Sequence, residues 1–388
     1  MKRKLSLLLA LVMVFACLTA CGSASPGLKD ITGPEASAEP ETTPEPEKEP
    51  DRYDLAFARY SPEDVVMTIN GEPVTWQEYF YWIYSIAYQL DQMSEVDWSA
   101  DLDGTYTYQT YAQQYAESAL TQYGVIAQKA EELGLEISRE QQAEIDGIYS
   151  DDVEQFGGGD EAAFAEYLAS NHIPRDMYDE MNSASVHYRN IFEHYFGVMG
   201  EALPDEDVRS YANDAEYMHA KHILLSTLDD AGEPVSDEEK EAVLAKAQEI
   251  LSQLKGLSGA QLEEKFDALM LENSEDGGLS YYPDGYYFLP GDMVQPFEDS
   301  VRSLAEGHLS PEPVESNFGY HIILRLPLDF DAGIDYSGYS LRYIAASALF
   351  DNMSREWFDT AEVEYTEAFT ALDFNELFGS ADEEAADD

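Results

Sequence analysis

Two histidines, an aspartate and a pair of large apolar side chains stand in short motifs between Tyr217 and Leu326. His222 lies in Met218-His219-Ala220-Lys221-His222-Ile223-Leu224-Leu225, and His321 in Phe318-Gly319-Tyr320-His321-Ile322-Ile323-Leu324. A neutral imidazole has one donor and one acceptor nitrogen, so two such rings brought together can share a hydrogen bond and set each other's tautomer. Asp276, in Asn273-Ser274-Glu275-Asp276, offers a carboxylate. Met293 and Phe297, in Gly291-Asp292-Met293-Val294-Gln295-Pro296-Phe297-Glu298, are four apart, which puts both on one face of a helix. His219 stands three residues before His222, on the opposite face of a strand, and reads as structural. The only cysteines are Cys17 and Cys21, so thiolate catalysis, disulfides and cysteine-metal sites are excluded beyond residue 21.

These motifs, in this order, resemble a parvulin-type peptidyl-prolyl isomerase domain over 215–329. The resemblance implies a four-stranded antiparallel sheet surrounded by helices, and catalysis of cis/trans isomerisation at Xaa-Pro bonds. It implies that His222 and His321 sit on adjacent central strands and orient the site. Asp276 falls where some members carry cysteine and others aspartate. Met293 and Phe297 match the residues that cup the proline ring, and Ser316 and Phe318 those that line the site. Isomerisation must cross an amide-resonance barrier of about 18–20 kcal/mol without breaking a bond to a leaving group, so no cofactor or metal is implied. Where the family has a leucine in the proline cup, this chain has Gly285, in Pro283-Asp284-Gly285-Tyr286-Tyr287-Phe288; Tyr286 is the side chain available to fill that gap. Phosphate-directed members carry a basic cluster after the first strand. Here Thr227-Leu228-Asp229-Asp230-Ala231-Gly232-Glu233 is acidic and should repel phosphorylated substrates.

Elements on either side of this segment have their own pattern. Val65-Val66-Met67-Thr68-Ile69, then Asn70-Gly71, predicts a hairpin over 64–74. Thr75 with Glu78 forms a capping box for a helix whose apolar stripe is Trp76, Tyr79, Phe80, Ile83, Ala87 and Leu90. Further helices are predicted over 106–133, 139–149 (capped by Ser138), 161–171, 174–196 and 341–359, with a strand at Val363-Glu364-Tyr365. Thirteen aromatics lie between Trp76 and Tyr123. Tyr81, Trp82, Tyr84 and Tyr88 fall off the main stripe, and either pack against the returning 341–359 helix or form an aromatic groove for unfolded clients. The hairpin followed by helices resembles the chaperone domain of PrsA-type foldase lipoproteins and SurA-like relatives, in which the isomerase domain is an insertion. The fold class is therefore α+β: a helical chaperone module from 53–214 and 330–378 enclosing 215–329, with an acidic tail at 379–388.

Residues 1–20 read as a lipoprotein signal: Lys2, Arg3 and Lys4, then an apolar run too short to span a bilayer, ending Leu18-Thr19-Ala20-Cys21. Cys21 is the expected lipid attachment site, and 21–52 a Pro- and Glu-rich tether without apolar period. With 78 acidic against 21 basic residues and a formal charge of −57, nucleic acid is excluded as a partner, and contact with a membrane is expected through the lipid anchor alone. A calcium loop at Asp101 and Asp103 fails on spacing, since Thr110 stands where a closing Glu is needed. The expected partners are unfolded or partly folded secreted proteins with Xaa-Pro bonds. The competing expectation is a holdase that keeps the parvulin fold for binding without catalysis.

Overall fold

A computed structural model describes residues 50–93, 96–334, 337–367 and 369–379. The signal, Cys21, most of the tether and the acidic tail lie outside the described residues. The chain divides into two compact units: Met1–His194 with Asn352–Asp388, and Tyr195–Asp351 between them.

In the first unit, helix α1 (Arg52–Phe57) precedes the hairpin of β1 (Val65–Ile69) and β2 (Glu72–Thr75). Its turn places Asn70 at φ 53° and Gly71 at φ 87°, the pair of positive values a two-residue hairpin turn with native twist requires. Helices α2 (Trp76–Met93), α3 (Tyr108–Glu132), α4 (Arg139–Gly157), α5 (Glu161–Ser170) and α6 (Arg175–Phe196) follow. Thr75 and Glu78 cap α2 reciprocally, and Ser138 with Gln141 caps α4. The helix predicted over 139–149 runs on to Gly157, because Ile145 and Val153 both find burial and Gly158, at φ 60°, ends it. Three residues, β7 (Val363–Tyr365), pair with β1 and complete a sheet ordered β2-β1-β7.

The predicted stripe of α2 is buried throughout, with Trp76, Phe80, Ile83 and Ala87 fully enclosed. Tyr81, Trp82 and Tyr84 are buried too, in a cluster against which Trp357 and Phe358 of the returning 341–359 helix also pack. Trp82 stacks on Tyr123 at 5.5 Å and meets Tyr115 at 6.1 Å, both on α3; Tyr84 meets Tyr53 of α1 at 5.1 Å and His172 at 5.0 Å. An α2 surface covered on two sides by neighbouring helices needs aromatics around most of its circumference, which explains why they exceed one stripe. The carboxylates of Asp101 and Asp103 accept backbone N–H groups of Gly104, Thr105 and Tyr106, so they hold a turn.

In the second unit, β3 (Met218–Ser226), β4 (Tyr286–Phe288), β5 (Val314–Glu315) and β6 (Gly319–Leu326) form an antiparallel sheet ordered β4-β3-β6-β5. Helix α7 (Asp205–Asp214) precedes β3; α8 (Asp237–Leu254), α9 (Ala260–Asn273) and α10 (Gln295–Ser303) pack on the sheet, and α11 (Leu341–Asp359) begins here. Alternation along the central strands splits the core into two layers. Ile223, Leu225, Ile322 and Leu324 face Leu251, Leu254, Phe266 and Leu269 of α8 and α9. On the other face Ala220 and Ile323 pack with Phe288, Phe297 and Val301. The residues between Ala220 and Leu224, and next to Ile323, on that second face are His222 and His321. Gly319, paired with Ser226 and at φ 147°, has no room for a side chain, since a Cβ would overlap the Leu225 carbonyl.

Candidate active site

Register on the two central strands sets His222 opposite Ile323 and His321 opposite Leu224, so the histidines are diagonal neighbours across β3 and β6. Their Nδ1 atoms are 3.0 Å apart. His222 Nε2 lies 3.1 Å from Asp276 Oδ2, and His321 Nε2 lies 2.7 Å from Ser316 Oγ. Tyr286 donates its hydroxyl to Asp276 Oδ2 at 2.6 Å. With both rings neutral, one proton order satisfies every member: Ser316 donates to His321, His321 to His222, and His222 to Asp276, the acceptor at the end of the chain.

The loop carrying Asp276 is tied to β3 by the first half of its motif. Leu224 N–H donates to Ser274 Oγ at 3.1 Å, and Glu275 N–H donates to Leu224 O at 2.8 Å. Asp276 Oδ1 then accepts Gly278 N–H at 3.1 Å, so this side chain caps its own loop and also faces His222. Burial opposes its ionisation, but the hydrogen bonds from His222, Tyr286 and Gly278 outweigh burial and hold the carboxyl well below the usual range. Burial, and then its bond to the Asp276 carboxylate, pushes Tyr286 up, so the phenol stays protonated.

Phe297 is buried at 3% exposure and meets both imidazoles in T-shaped geometry, 5.2 Å from His222 and 5.7 Å from His321. Met293 is half-buried in the same cluster. It does not share a helix with Phe297, because α10 begins only at Gln295. Glu298, nearly buried, accepts the N–H groups of Gly291 and Met293 at 2.8 and 2.9 Å, folding that loop back on α10 and leaving Met293 ahead of it. Pro296 in the first helical turn suits this abrupt start. Phe318 is the one predicted lining residue not drawn in. Its N–H donates to Ser316 Oγ at 3.1 Å, while its ring is 45% exposed.

Gly285 cannot carry the expected leucine. At φ 99°, with the Ala220 carbonyl 2.8 Å from where a Cβ would stand, neither conformation nor space admits a side chain. Tyr286 enters the site instead, 5.7 Å from the His222 ring and 4.9 Å from Tyr282, and a Cβ on Gly278 would run into its hydroxyl. Period-two alternation from Phe288 would have placed Tyr286 on the site face; its bond to Asp276 had no sequence signal. His219 is outside the site: its ring lies 3.9 Å from that of Tyr287, and its nitrogens face the carbonyls of Pro327 and Asp284 at 2.9 and 3.0 Å. The acidic loop after β3 is held by Asp229 Oδ1, which accepts the N–H groups of Ala231 and Glu233.

Burial, reinforced by neighbouring His222, lowers the pKa of His321 to about 4. An unfolded histidine takes up its proton near pH ~6.5, so the unfolded chain binds more protons than the native one from there down to about pH 4. Stability must fall as pH drops through that window, by on the order of 2 kcal/mol between about pH 6.5 and 5. The Asp276 contribution has a lower window, being present above about pH 4 and lost below it. His321→Gln keeps hydrogen-bonding capacity and does not titrate. Urea midpoints of this variant should lose the upper part of the slope, and an unchanged slope between pH 6.5 and 5 would rule His321 out as its source.

Residues 207–325, which hold the antiparallel sheet and the paired histidines, match the PPIC-type PPIASE domain family. Cbf2 of Campylobacter jejuni, which carries a peptidyl-prolyl cis-trans isomerase name, is 36% identical over 126 residues, covering 32% of this chain and 40% of Cbf2. Foldase protein PrsA of Clostridium tetani is 26% identical over 188 residues, 47% of this chain and 44% of that protein. Foldase protein PrsA of Caldanaerobacter subterraneus is 22% identical over 331 residues, 83% of this chain and 82% of its own. The chain thus spans less than half the length of the first two relatives.

Proposed function

We propose that this chain is a peptidyl-prolyl cis/trans isomerase and foldase that acts on unfolded secreted proteins outside the cytoplasmic membrane. The observation that carries the reading is the hydrogen-bonded chain Ser316, His321, His222, Asp276 and Tyr286 beneath the Phe297 ring. In a planar prolyl amide, resonance puts negative charge on the carbonyl oxygen and double-bond character in the C–N bond. A fixed carboxylate near that oxygen raises the energy of the planar form relative to the twisted one, in which the charge is lost. Asp276 supplies that charge, and His222 and His321 hold it in place through their shared bond. Phe297 and Met293 receive the proline ring, with Ser316 orienting His321. Phe318, at the exposed edge, contacts the residue preceding or following proline. Tyr286 positions Asp276: Tyr286→Phe should lower kcat several-fold with little change in KM, and an unchanged kcat would make the ring, and not its hydroxyl, the contributing part.

The acidic loop at 227–233 supports a preference against phosphorylated substrates. A peptide panel in a protease-coupled assay tests activity and preference together. Acceleration should appear for Ala-Pro and Leu-Pro and be weakest for phosphoserine-Pro; fastest turnover of the phosphopeptide would contradict the preference. A lipid on Cys21 would keep the chain at the membrane, with 22–52 as spacer. Membrane association that persists in Cys21→Ser would sink that part.

A further inference from the structure

The first unit contains a cleft of about 230 Å³ between the hairpin and helices α2, α3 and α6. Its apolar lining includes Ile69, Val74, Trp82, Leu120, Met177 and Met181, and its rim carries Glu72, Glu131 and Glu180. Among the described residues none of these three glutamates has an ion-pair partner; the neighbouring cation, Lys129, is engaged by Glu132 at 2.5 Å and by the Trp357 ring. Burial, and then the carboxylates of Glu78 and Asp176, raise the pKa of Glu180. Trp82, 7% exposed, lends its ring to this lining. Gly124, on the α3 wall, opens onto free space, with no atom within 4 Å of where a Cβ would stand.

We infer that this cleft binds extended segments of unfolded polypeptide in which Lys or Arg alternates with large apolar residues. An apolar side chain fills the lining, where the Met177 and Met181 thioethers adapt to varied shapes. The basic neighbour on each side meets the glutamates. The proposal deepens the foldase reading by naming the client chemistry of the helical module.

The test uses the purified full chain and two proline-free fluorescent decapeptides, one alternating Lys with Leu and the other Glu with Leu, followed by polarisation. The Lys-Leu peptide should bind and the Glu-Leu peptide should not. Because a chain with formal charge −57 attracts any cation, the deciding variant is Gly124→Leu, which fills the cleft without altering charge. It should weaken Lys-Leu binding about tenfold or more with an unchanged or higher melting temperature, since a helical glycine is replaced by a better helix former. A Glu72→Gln, Glu131→Gln, Glu180→Gln variant should lose affinity to a similar degree. Binding that survives Gly124→Leu, or equal affinity for both peptides, would overturn the cleft. Prolyl isomerisation measured on the same samples is expected to be unaffected by these variants. Its absence in the unmodified chain would instead count against the isomerase reading and leave the cleft standing.

Discussion

Replacing Asp276 with asparagine should slow prolyl isomerisation on the order of 10²-fold, the scale seen when one preorganised electrostatic group is removed from an active site. His222 and Tyr286 both donate to Oδ2, and the amide oxygen of asparagine can still accept from both. Only the Gly278 N–H contact to the other oxygen is lost, which should cost about 1 kcal/mol. The substitution therefore separates charge from scaffold. If the carboxylate acts on the planar ground state, kcat/KM falls while the thermal transition moves little. A folded Asp276→Asn chain with an unaltered rate would remove Asp276 from the mechanism and leave it as a loop cap.

The second large effect is expected at Phe297. Its ring belongs to the core layer with Phe288, Val301 and Ile323 and also faces both imidazoles. Truncation to alanine should cost about 3–5 kcal/mol by loss of transfer energy and creation of a cavity. Calorimetry should show a separate transition for the unit holding 195–351 moving to lower temperature. Phe297→Leu restores most of the volume and should recover most of that loss. It does not restore a flat aromatic surface, so KM for prolyl peptides should remain elevated. Normal KM in Phe297→Leu would mean that any apolar side chain suffices to receive the proline ring.

What was legible in the sequence follows from what sequence periodicity can encode. The strands bearing His222 and His321, the hairpin at Asn70-Gly71, the capped start of α2 and the 341–359 helix are set by alternation, turn chemistry and caps, and all were readable. Met293 was assigned to a helix that begins two residues after it, because the Glu298 carboxylate that turns the loop back is a tertiary feature with no local pattern. Tyr286 was visible only as a side chain near a gap. Its hydroxyl bond to Asp276 joins β4 to the loop after α9 and depends on the absence of a Cβ at Gly278. The extra aromatics on α2 could be counted in advance, but their partners on α1 and α3 could not, since one amphipathic stripe gives no information about how many neighbours will cover a helix.

The central claim is that the hydrogen-bonded site turns over prolyl bonds. Exchange NMR on an Ala-Pro tetrapeptide, with catalytic amounts of the full chain, measures that rate without a coupling protease. The account predicts cis/trans exchange well above the uncatalysed rate, lost in Asp276→Asn and strongly reduced in Phe297→Leu. Exchange no faster than in buffer, from a chain that still suppresses aggregation of an unfolded client, would contradict it and make the segment 207–325 a binding module.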